Sequence, residues 1–77
     1  SRMETPTIDP ADDDLLYVVK NGDVLDNLAA LFYGDPRLRW VIMRANDIRL
    51  EPNELIPGVE IRIPTFDRLR SEGLLPR

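Results

Sequence analysis

The stretch that decides the fold is YVVKNGDVLDNLAAL, residues 17–31. Its first three residues are aromatic and β-branched, which predicts a short strand. Asn21 and Gly22 then predict a tight turn, because both residue types tolerate a positive φ. Asp23 is placed to cap a helix whose apolar positions recur on one face, at Leu25, Leu28, Ala29 and Phe32. This change of period from strand to helix fixes how the two elements meet.

A sharp corner between two helices is predicted next. Gly34 is expected to end the first helix in the left-handed conformation. Asp35 and Pro36 then supply an N-cap and a first-turn proline for a second helix from Pro36 to about Asn46. The apolar residues of this helix that would face the first helix and the sheet are Leu38, Val41, Ile42 and Ala45.

A second strand follows a turn at residues 56–59, which read IPGV and match the type II preference for proline and glycine at the centre. Apolar residues then alternate with charged ones and the strand stops before Pro64, which cannot donate to a ladder. The order strand, helix, helix, strand predicts an α+β fold. We expect a two-stranded antiparallel sheet with two helices on one face and extended N- and C-terminal arms.

The predicted domain occupies residues 15–64, between an acidic N-terminal arm at 1–14 and a C-terminal arm at 65–77. The first arm carries five acidic residues against one arginine, and so accounts for the whole net charge of −4. It is expected to be either a solvated tail or a segment that becomes ordered along a neighbouring subunit. The C-terminal arm is more apolar than a solvated tail needs. It is expected either to fold back over the core or to dock on another chain.

Composition argues against several classes of function. The 77 residues include no histidine and no cysteine, so the commonest general base and any thiolate metal site are absent. The acidic charge argues against nucleic acid, and no apolar run is long enough to span a bilayer. The aspartate run at 12–14 lacks the spacing of a calcium loop and is interpreted as solvated charge. We therefore predict that the chain is not an enzyme and has no catalytic residue, metal or cofactor.

A second apolar patch lies on the second helix, away from its core-facing stripe. It contains Trp40 and Met43 among Arg37, Arg39 and Arg44. Tryptophan, methionine and arginine are enriched at protein interfaces, which predicts a partner-binding surface. The alternative is that Trp40 lies beneath one of the arms as part of the core. Phe66 and Leu69 of the C-terminal arm are included in the predicted partner-binding set.

The spaced set of residues over 17–64 resembles a LysM module. The matching positions are Tyr17, Val19, Gly22, Asp23, Leu25, Ala29, Ala45, Asn46, Ile56, Pro57, Gly58, Ile61, Ile63 and Pro64. The resemblance implies a βααβ fold and, in the parent family, binding of peptidoglycan or chitin through N-acetylglucosamine units. Carried over by position, that groove would involve Gly22, Asp23, Val24, Leu25, Asp47, Ile48 and Pro57.

The corner between the helices, FYGDP at 32–36 followed by WVI at 40–42, is similar to that of the small LysM-like proteins of contractile bacteriophage tails and related injection systems. Val24 also replaces the threonine or serine of the LysM pattern. This resemblance implies a structural adaptor that binds other tail, baseplate or tube proteins, placed in the virion tail baseplate after assembly in the host cytoplasm. We favour this adaptor role; a glycan-binding LysM module is the alternative, and neither nucleic acid nor membrane is expected as a partner.

Overall fold

The computed structural model describes residues 8–46 and 55–75. Within these residues it confirms an α+β domain with strands and helices in the βααβ order and an antiparallel two-stranded sheet. The first helix packs on the corner and on the second helix, which in turn packs on the second strand. The elements are β1 (Leu15–Val18), α1 (Leu25–Tyr33), a 3₁₀ turn (Pro36–Leu38), α2 (Arg39–Ala45), β2 (Glu60–Ile63) and α3 (Phe66–Ser71).

The two strands pair with Leu15 opposite Ile63 and Val18 opposite Glu60. The pairing continues past β1, because the Val19 amide donates to the Val59 carbonyl at 2.9 Å and the Gly58 amide donates to the Val19 carbonyl at 2.8 Å. Side chains alternate between the two faces of a strand. Ile61 and Ile63 are therefore buried against the helices.

The turn before β2 has the predicted form. The Val59 amide donates to the Ile56 carbonyl at 3.2 Å, and Gly58 between them has φ of 91°. A positive φ at this third turn position is what type II geometry requires, and glycine adopts it without a Cβ clash. The strand then ends at Ile63, directly before Pro64.

The predicted cap of α1 by Asp23 is wrong. The N-cap residue is Val24, and no side chain caps the helix. Asp23 Oδ2 instead accepts hydrogen bonds from the Lys20 amide at 2.7 Å and from the Tyr17 hydroxyl at 2.6 Å. The Asp23 carboxylate therefore stabilises the turn and does not cap the helix, because the Lys20 amide and the Tyr17 hydroxyl both lie within hydrogen-bonding distance of it.

The roles predicted for the residues of the corner between α1 and α2 are confirmed, but the predicted start of the second helix is wrong. Gly34 ends α1 with φ of 75°. Asp35 accepts from the Arg37 amide as an N-cap, and Pro36 occupies the first turn. That turn is 3₁₀, however, with the Leu38 amide donating to the Asp35 carbonyl at 3.0 Å, and the α-helix begins only at Arg39. The tighter turn directs Leu38 into the core.

Asn46, which ends α2, connects this helix to β2. Its side-chain amide nitrogen donates to the Ile42 and Arg62 carbonyls at 2.8 Å each, and its carbonyl oxygen accepts from the Arg62 amide at 2.7 Å. One short side chain therefore pairs an orphan helix carbonyl and both backbone groups of a strand residue.

The core extends beyond the predicted domain, because residues from both arms enter it. Ile8 is buried, and Leu69 of α3 is fully buried. The solvated-tail expectation is therefore wrong for residues 8–14, and the C-terminal arm folds back as a helix rather than extending. The buried apolar residues are Ile8, Val19, Leu25, Leu28, Ala29, Leu38, Val41, Ile42, Ile61, Ile63 and Leu69.

Candidate functional site

The surface around Trp40 is the first candidate. Trp40 and Met43 are half-buried and pack against the edge of the core, so the indole lies neither in the interior nor fully in solvent. The Arg44 guanidinium lies over the indole ring at 4.9 Å from its centroid, a cation–π arrangement. We call these three residues the indole surface.

The other two arginines predicted for this site are paired elsewhere. Arg37 makes a two-pronged ion pair with Asp35, with nitrogen–oxygen distances of 3.0 and 2.9 Å, although its side chain remains 86% exposed. Asp35 raises the pKa of Arg37, first through its side-chain hydrogen bond and then through its charge. Arg39 bridges to Asp26 of α1 at 2.9 Å. The structure thus brings Arg44 to Trp40, while Arg37 and Arg39 pair with Asp35 and Asp26.

The two C-terminal residues of the predicted set have different environments. Leu69 is fully buried in the chain's own core, so its assignment to a partner surface is wrong. Phe66 is 41% exposed, with its ring 6.5 Å from that of Tyr33 and the Arg70 guanidinium 5.3 Å above it. Only Phe66 can therefore contribute to a contact surface.

The turn between β1 and α1 carries the alternative, glycan-binding residues. Gly22 has φ of 89°, and Val24 is about two-fifths exposed. The Tyr17 hydrogen bond, followed by that of the Lys20 amide, lowers the pKa of Asp23. Leu25 is fully buried in the core, so its predicted contact with a glycan is wrong. Pro57 is exposed in its turn, whereas Asp47 and Ile48 lie outside the described residues.

A shallow cleft of about 180 Å³ lies beside that second turn. Its floor contains the buried side chains of Val19 and Ile61, and its polar atoms come from Asn46 and Glu60. The remaining lining residues are Leu55, Ile56 and Val59. Sequence reasoning placed these residues in the turn and strand but did not identify the cleft, because it depends on how α2 packs beside β2.

A charged cluster that the sequence did not reveal holds the two arms on the domain. Asp14, whose side chain is only 2% exposed, accepts from Arg62 Nε at 3.1 Å and from Arg68 Nη1 at 3.3 Å. Arg68 Nη2 also donates to the Asp9 carbonyl at 2.8 Å. We call Asp14, Arg62 and Arg68 the arm clamp. The three residues lie far apart in the sequence, so no local pattern indicates their contact.

Among residues 8–46 and 55–75, no group of three or more acidic, histidine or cysteine side chains is arranged to hold a metal ion. In the same ranges, no helix has the length and apolar character needed to cross a bilayer.

Comparison with known proteins finds similarity to part of an enzyme. The chain is 40% identical over 52 residues to two esterases from two strains of Mycobacterium tuberculosis. The matched segment covers 68% of this chain but only 11% of each esterase. No protein-family profile matches the chain. No solved structure matches it.

Proposed function

We propose that this chain is a non-catalytic adaptor that binds neighbouring protein subunits through its indole surface. The observation that carries the proposal is that Trp40 is only partly buried at the edge of the core, with the Arg44 guanidinium stacked on its ring. Tryptophan and arginine are the side chains most often found at the energetic centre of protein interfaces. A partner that covered the indole would remove apolar area from water and retain the stacked guanidinium.

The turn between β1 and α1 supports a protein partner over a sugar. Sugars are bound through hydroxyl groups, which need free polar atoms on the protein. Here Asp23 Oδ2 already accepts two hydrogen bonds from the chain itself. The adjacent Val24 presents an apolar side chain, and Leu25 is buried. One carboxylate oxygen of the turn is therefore already engaged by the chain itself, and the position after Asp23 is apolar where the LysM pattern has a hydroxyl group.

The class of assembly comes from the resemblance to LysM-like proteins of contractile tails. We propose tail, baseplate or tube proteins of a phage or a related contractile injection system as the neighbours, and the virion baseplate as the location. The indole surface and the exposed Phe66 are the contact residues, with Arg37 and Arg39 at the periphery. Each of these two arginines is paired with an aspartate of the chain, so they contribute polar groups and no net charge to the contact.

Incorporation into assembled particles tests this proposal. Trp40→Ala and Arg44→Glu would each replace the wild-type residue in the gene that encodes the chain, and tail particles purified from that strain would be assayed for the subunit. Both variants are expected to fold, as judged by circular dichroism, and to be depleted from particles by at least about tenfold, the equivalent of one lost interface anchor. Leu31→Ala is the matched control, because Leu31 is an exposed apolar residue on α1. Normal incorporation of both folded variants would refute the role of the indole surface.

A glycan-binding module is the second candidate, and the similarity to a segment of mycobacterial esterases favours it. A binding module joined to a hydrolase is a common arrangement, and the match covers only a small fraction of each esterase. The residues that would bind are Gly22, Asp23, Val24 and Pro57. Titration with chitin oligosaccharides or muropeptides is expected to shift their amide resonances in NMR spectra. Unchanged spectra at millimolar ligand would refute this candidate.

The absence of catalysis is itself part of the proposal. Ester hydrolysis by a serine nucleophile normally uses a histidine base, and the chain has no histidine. Purified chain is expected to hydrolyse p-nitrophenyl acetate no faster than an equal concentration of heat-denatured chain. The proposed non-catalytic role would be overturned if the native chain hydrolysed the ester faster than the denatured control and if mutation of a single carboxylate abolished this excess rate.

A further inference from the structure

The outer face of the sheet, turned away from the helices, carries apolar side chains. Leu16 and Val18 of β1 are each 53% exposed, whereas Ile61 and Ile63, which point to the opposite face from β2, are buried. In an antiparallel sheet with one solvated face, that face is normally polar. Two exposed apolar residues next to each other on it therefore need a physical explanation.

The cross-strand neighbours of these two residues carry opposite charges. Leu16 lies opposite Arg62, and Val18 lies opposite Glu60. Residues two apart along a strand are separated by about 6.6 Å, and directly opposed residues by about 5 Å. The four side chains thus occupy the corners of a small rectangle, with an apolar pair on one strand and an acid–base pair on the other. We call these four residues the outer sheet face.

We propose that a second copy of this chain binds the outer sheet face about a two-fold axis that lies in the interface, perpendicular to the strands. This rotation exchanges the two ends of each strand and keeps β1 over β1. Leu16 of one copy then meets Val18 of the other, and Glu60 of one copy meets Arg62 of the other. A self-complementary patch of this kind is what a two-fold interface requires.

Other occupants fit the outer sheet face less well. A two-fold axis parallel to the strands would place β1 over β2, and so Leu16 over Arg62, which matches an apolar group with a charge. A uniformly acidic or basic partner would be attracted by one of the two charged residues and repelled by the other. Of the two axes, the one perpendicular to the strands pairs every side chain of the rectangle with a group of suitable chemistry.

The arm clamp keeps one corner of this face in place. Arg62 Nε is bound by the buried Asp14 carboxylate, yet the Arg62 side chain remains 39% exposed. The Arg62 side chain is therefore fixed by an internal partner and is still partly accessible to a second copy. Because the charge of Glu60 has no such internal partner among the described ion pairs, its closest cation in the dimer would be Arg62 of the second copy.

The area that the dimer would bury on the outer sheet face limits its affinity. Standard interfaces bury about 800 Å² on each partner, far more than four residues supply. We expect a dimer with a dissociation constant of the order of 1 mM, which becomes populated when copies are concentrated by another assembly. The inference does not depend on the indole surface, since that surface lies on α2.

Concentration-dependent NMR and sedimentation test the dimer with the whole chain. Diluting wild-type chain from millimolar to micromolar concentration is expected to move the resonances of the outer sheet face and leave those of α2 unchanged. Glu60→Arg places like charges opposite each other and is expected to weaken association by at least about tenfold, whereas Glu60→Gln should have a smaller effect. Leu31→Ser is the matched control and should associate as wild type does.

A mixing experiment identifies the geometry. Glu60→Arg and Arg62→Glu chains should each remain monomeric, yet a mixture of the two should associate, because every contact then joins opposite charges. Arg62→Glu also loses its pair with Asp14, so its fold is verified first by its amide spectrum; if it is unfolded, the Glu60 series alone decides. Wild-type spectra that do not depend on concentration, shifts confined to another surface, or undiminished association of Glu60→Arg would each overturn the proposal.

Discussion

Asp14 and Arg68 join the two ends of the chain, with the Arg68 Nη1 atom 3.3 Å from Asp14 Oδ1 and the side chains only 13% and 2% exposed. Residues that precede the first strand and follow the second are thereby part of one structural unit. The hydrophobic counterpart of this pair is the burial of Ile8 and Leu69 in the common core. The two arms are therefore components of the fold over the described residues.

Replacing Asp14 should destabilise the domain. Asp14→Ala removes the acceptor shared by Arg62 and Arg68, and so breaks the link between the N-terminal arm, β2 and α3. We expect the free energy of unfolding to fall by about 1–3 kcal/mol, the range for hydrogen bonds to charged groups. Urea denaturation followed by circular dichroism measures the change. Asp12→Ala, at an exposed neighbouring position, should change stability by less than about 0.5 kcal/mol. Equal effects of the two substitutions would contradict a structural role for the arm clamp.

Asn46 should be needed for the attachment of α2 to β2. Asn46→Ala leaves the Arg62 amide and the Ile42 carbonyl without their partner, which should cost about 1–3 kcal/mol. The loss should appear as faster hydrogen exchange at the Arg62 amide, measured by NMR. Asn46→Asp retains the acceptor for that amide but loses both donated hydrogen bonds, so its Arg62 amide should remain better protected than in the alanine variant. Identical exchange in the two variants would show that the carbonyl oxygen of Asn46 does not protect the strand.

The Tyr17–Asp23 hydrogen bond predicts a pH dependence of stability. The folded-state pKa of Asp23 lies below its usual 3.8, chiefly because of the Tyr17 hydroxyl. A lowered carboxyl pKa contributes stability at pH values above the unfolded pKa, and this contribution disappears as the pH falls through the folded pKa. Tyr17→Phe should therefore be less stable than wild type near neutral pH, with the difference shrinking below about pH 4.

NMR titration of the Asp23 carboxyl carbon checks the same interaction directly. The Asp23 pKa should rise in Tyr17→Phe, because the hydrogen bond that lowers it is lost. If the difference in unfolding free energy between wild type and Tyr17→Phe were the same at every pH, the Tyr17 hydroxyl would not be the cause of the lowered Asp23 pKa. The Tyr17 pKa, which the same hydrogen bond raises, should be measured in the wild type as a complementary value.

Leu69 and Phe66 should respond in opposite ways to truncation. Leu69→Ala creates a cavity in the core and should reduce the free energy of unfolding by about 2–5 kcal/mol, which is severe for a domain of this size. Phe66→Ala removes a partly exposed ring and should cost about 1 kcal/mol or less, because part of that ring already contacts water. Thermal unfolding provides the comparison. A stable Leu69→Ala domain would mean that α3 is not packed on the core.

Turn chemistry was predicted accurately because it depends on residues close together in the chain. Gly34, Asp35 and Pro36 define a corner through backbone preferences that need no distant partner. Gly58 in its type II turn is a second example. The cap predicted for Asp23 was wrong because its carboxylate has two possible local roles, capping the helix or stabilising the turn. The hydrogen bond from Tyr17 of the strand decides between them in favour of the turn.

The candidate sites were predicted less completely than the fold. The periodicity of α2 predicted that Trp40 and Met43 point away from the core-facing stripe, whereas both are half-buried and pack against the core. Periodicity could not predict that Arg37 pairs with Asp35 and Arg39 with Asp26, because an arginine side chain is long enough to reach several neighbouring residues. Leu25 and Leu69 were placed at binding surfaces from motif position and composition, and their burial follows from packing that neither property describes.

The sequence by itself determined the order of strands and helices, the two glycine-centred turns and the apolar faces that form the centre of the core. These features follow from local dihedral preferences and from periodicity over a few residues. Only the tertiary structure decided that the arms belong to the domain, that Asp14 lies between Arg62 and Arg68, and that Leu16 and Val18 share a face with Glu60 and Arg62. Those contacts join residues up to 54 positions apart. Their formation depends on how the completed elements pack together, which no short stretch of sequence specifies.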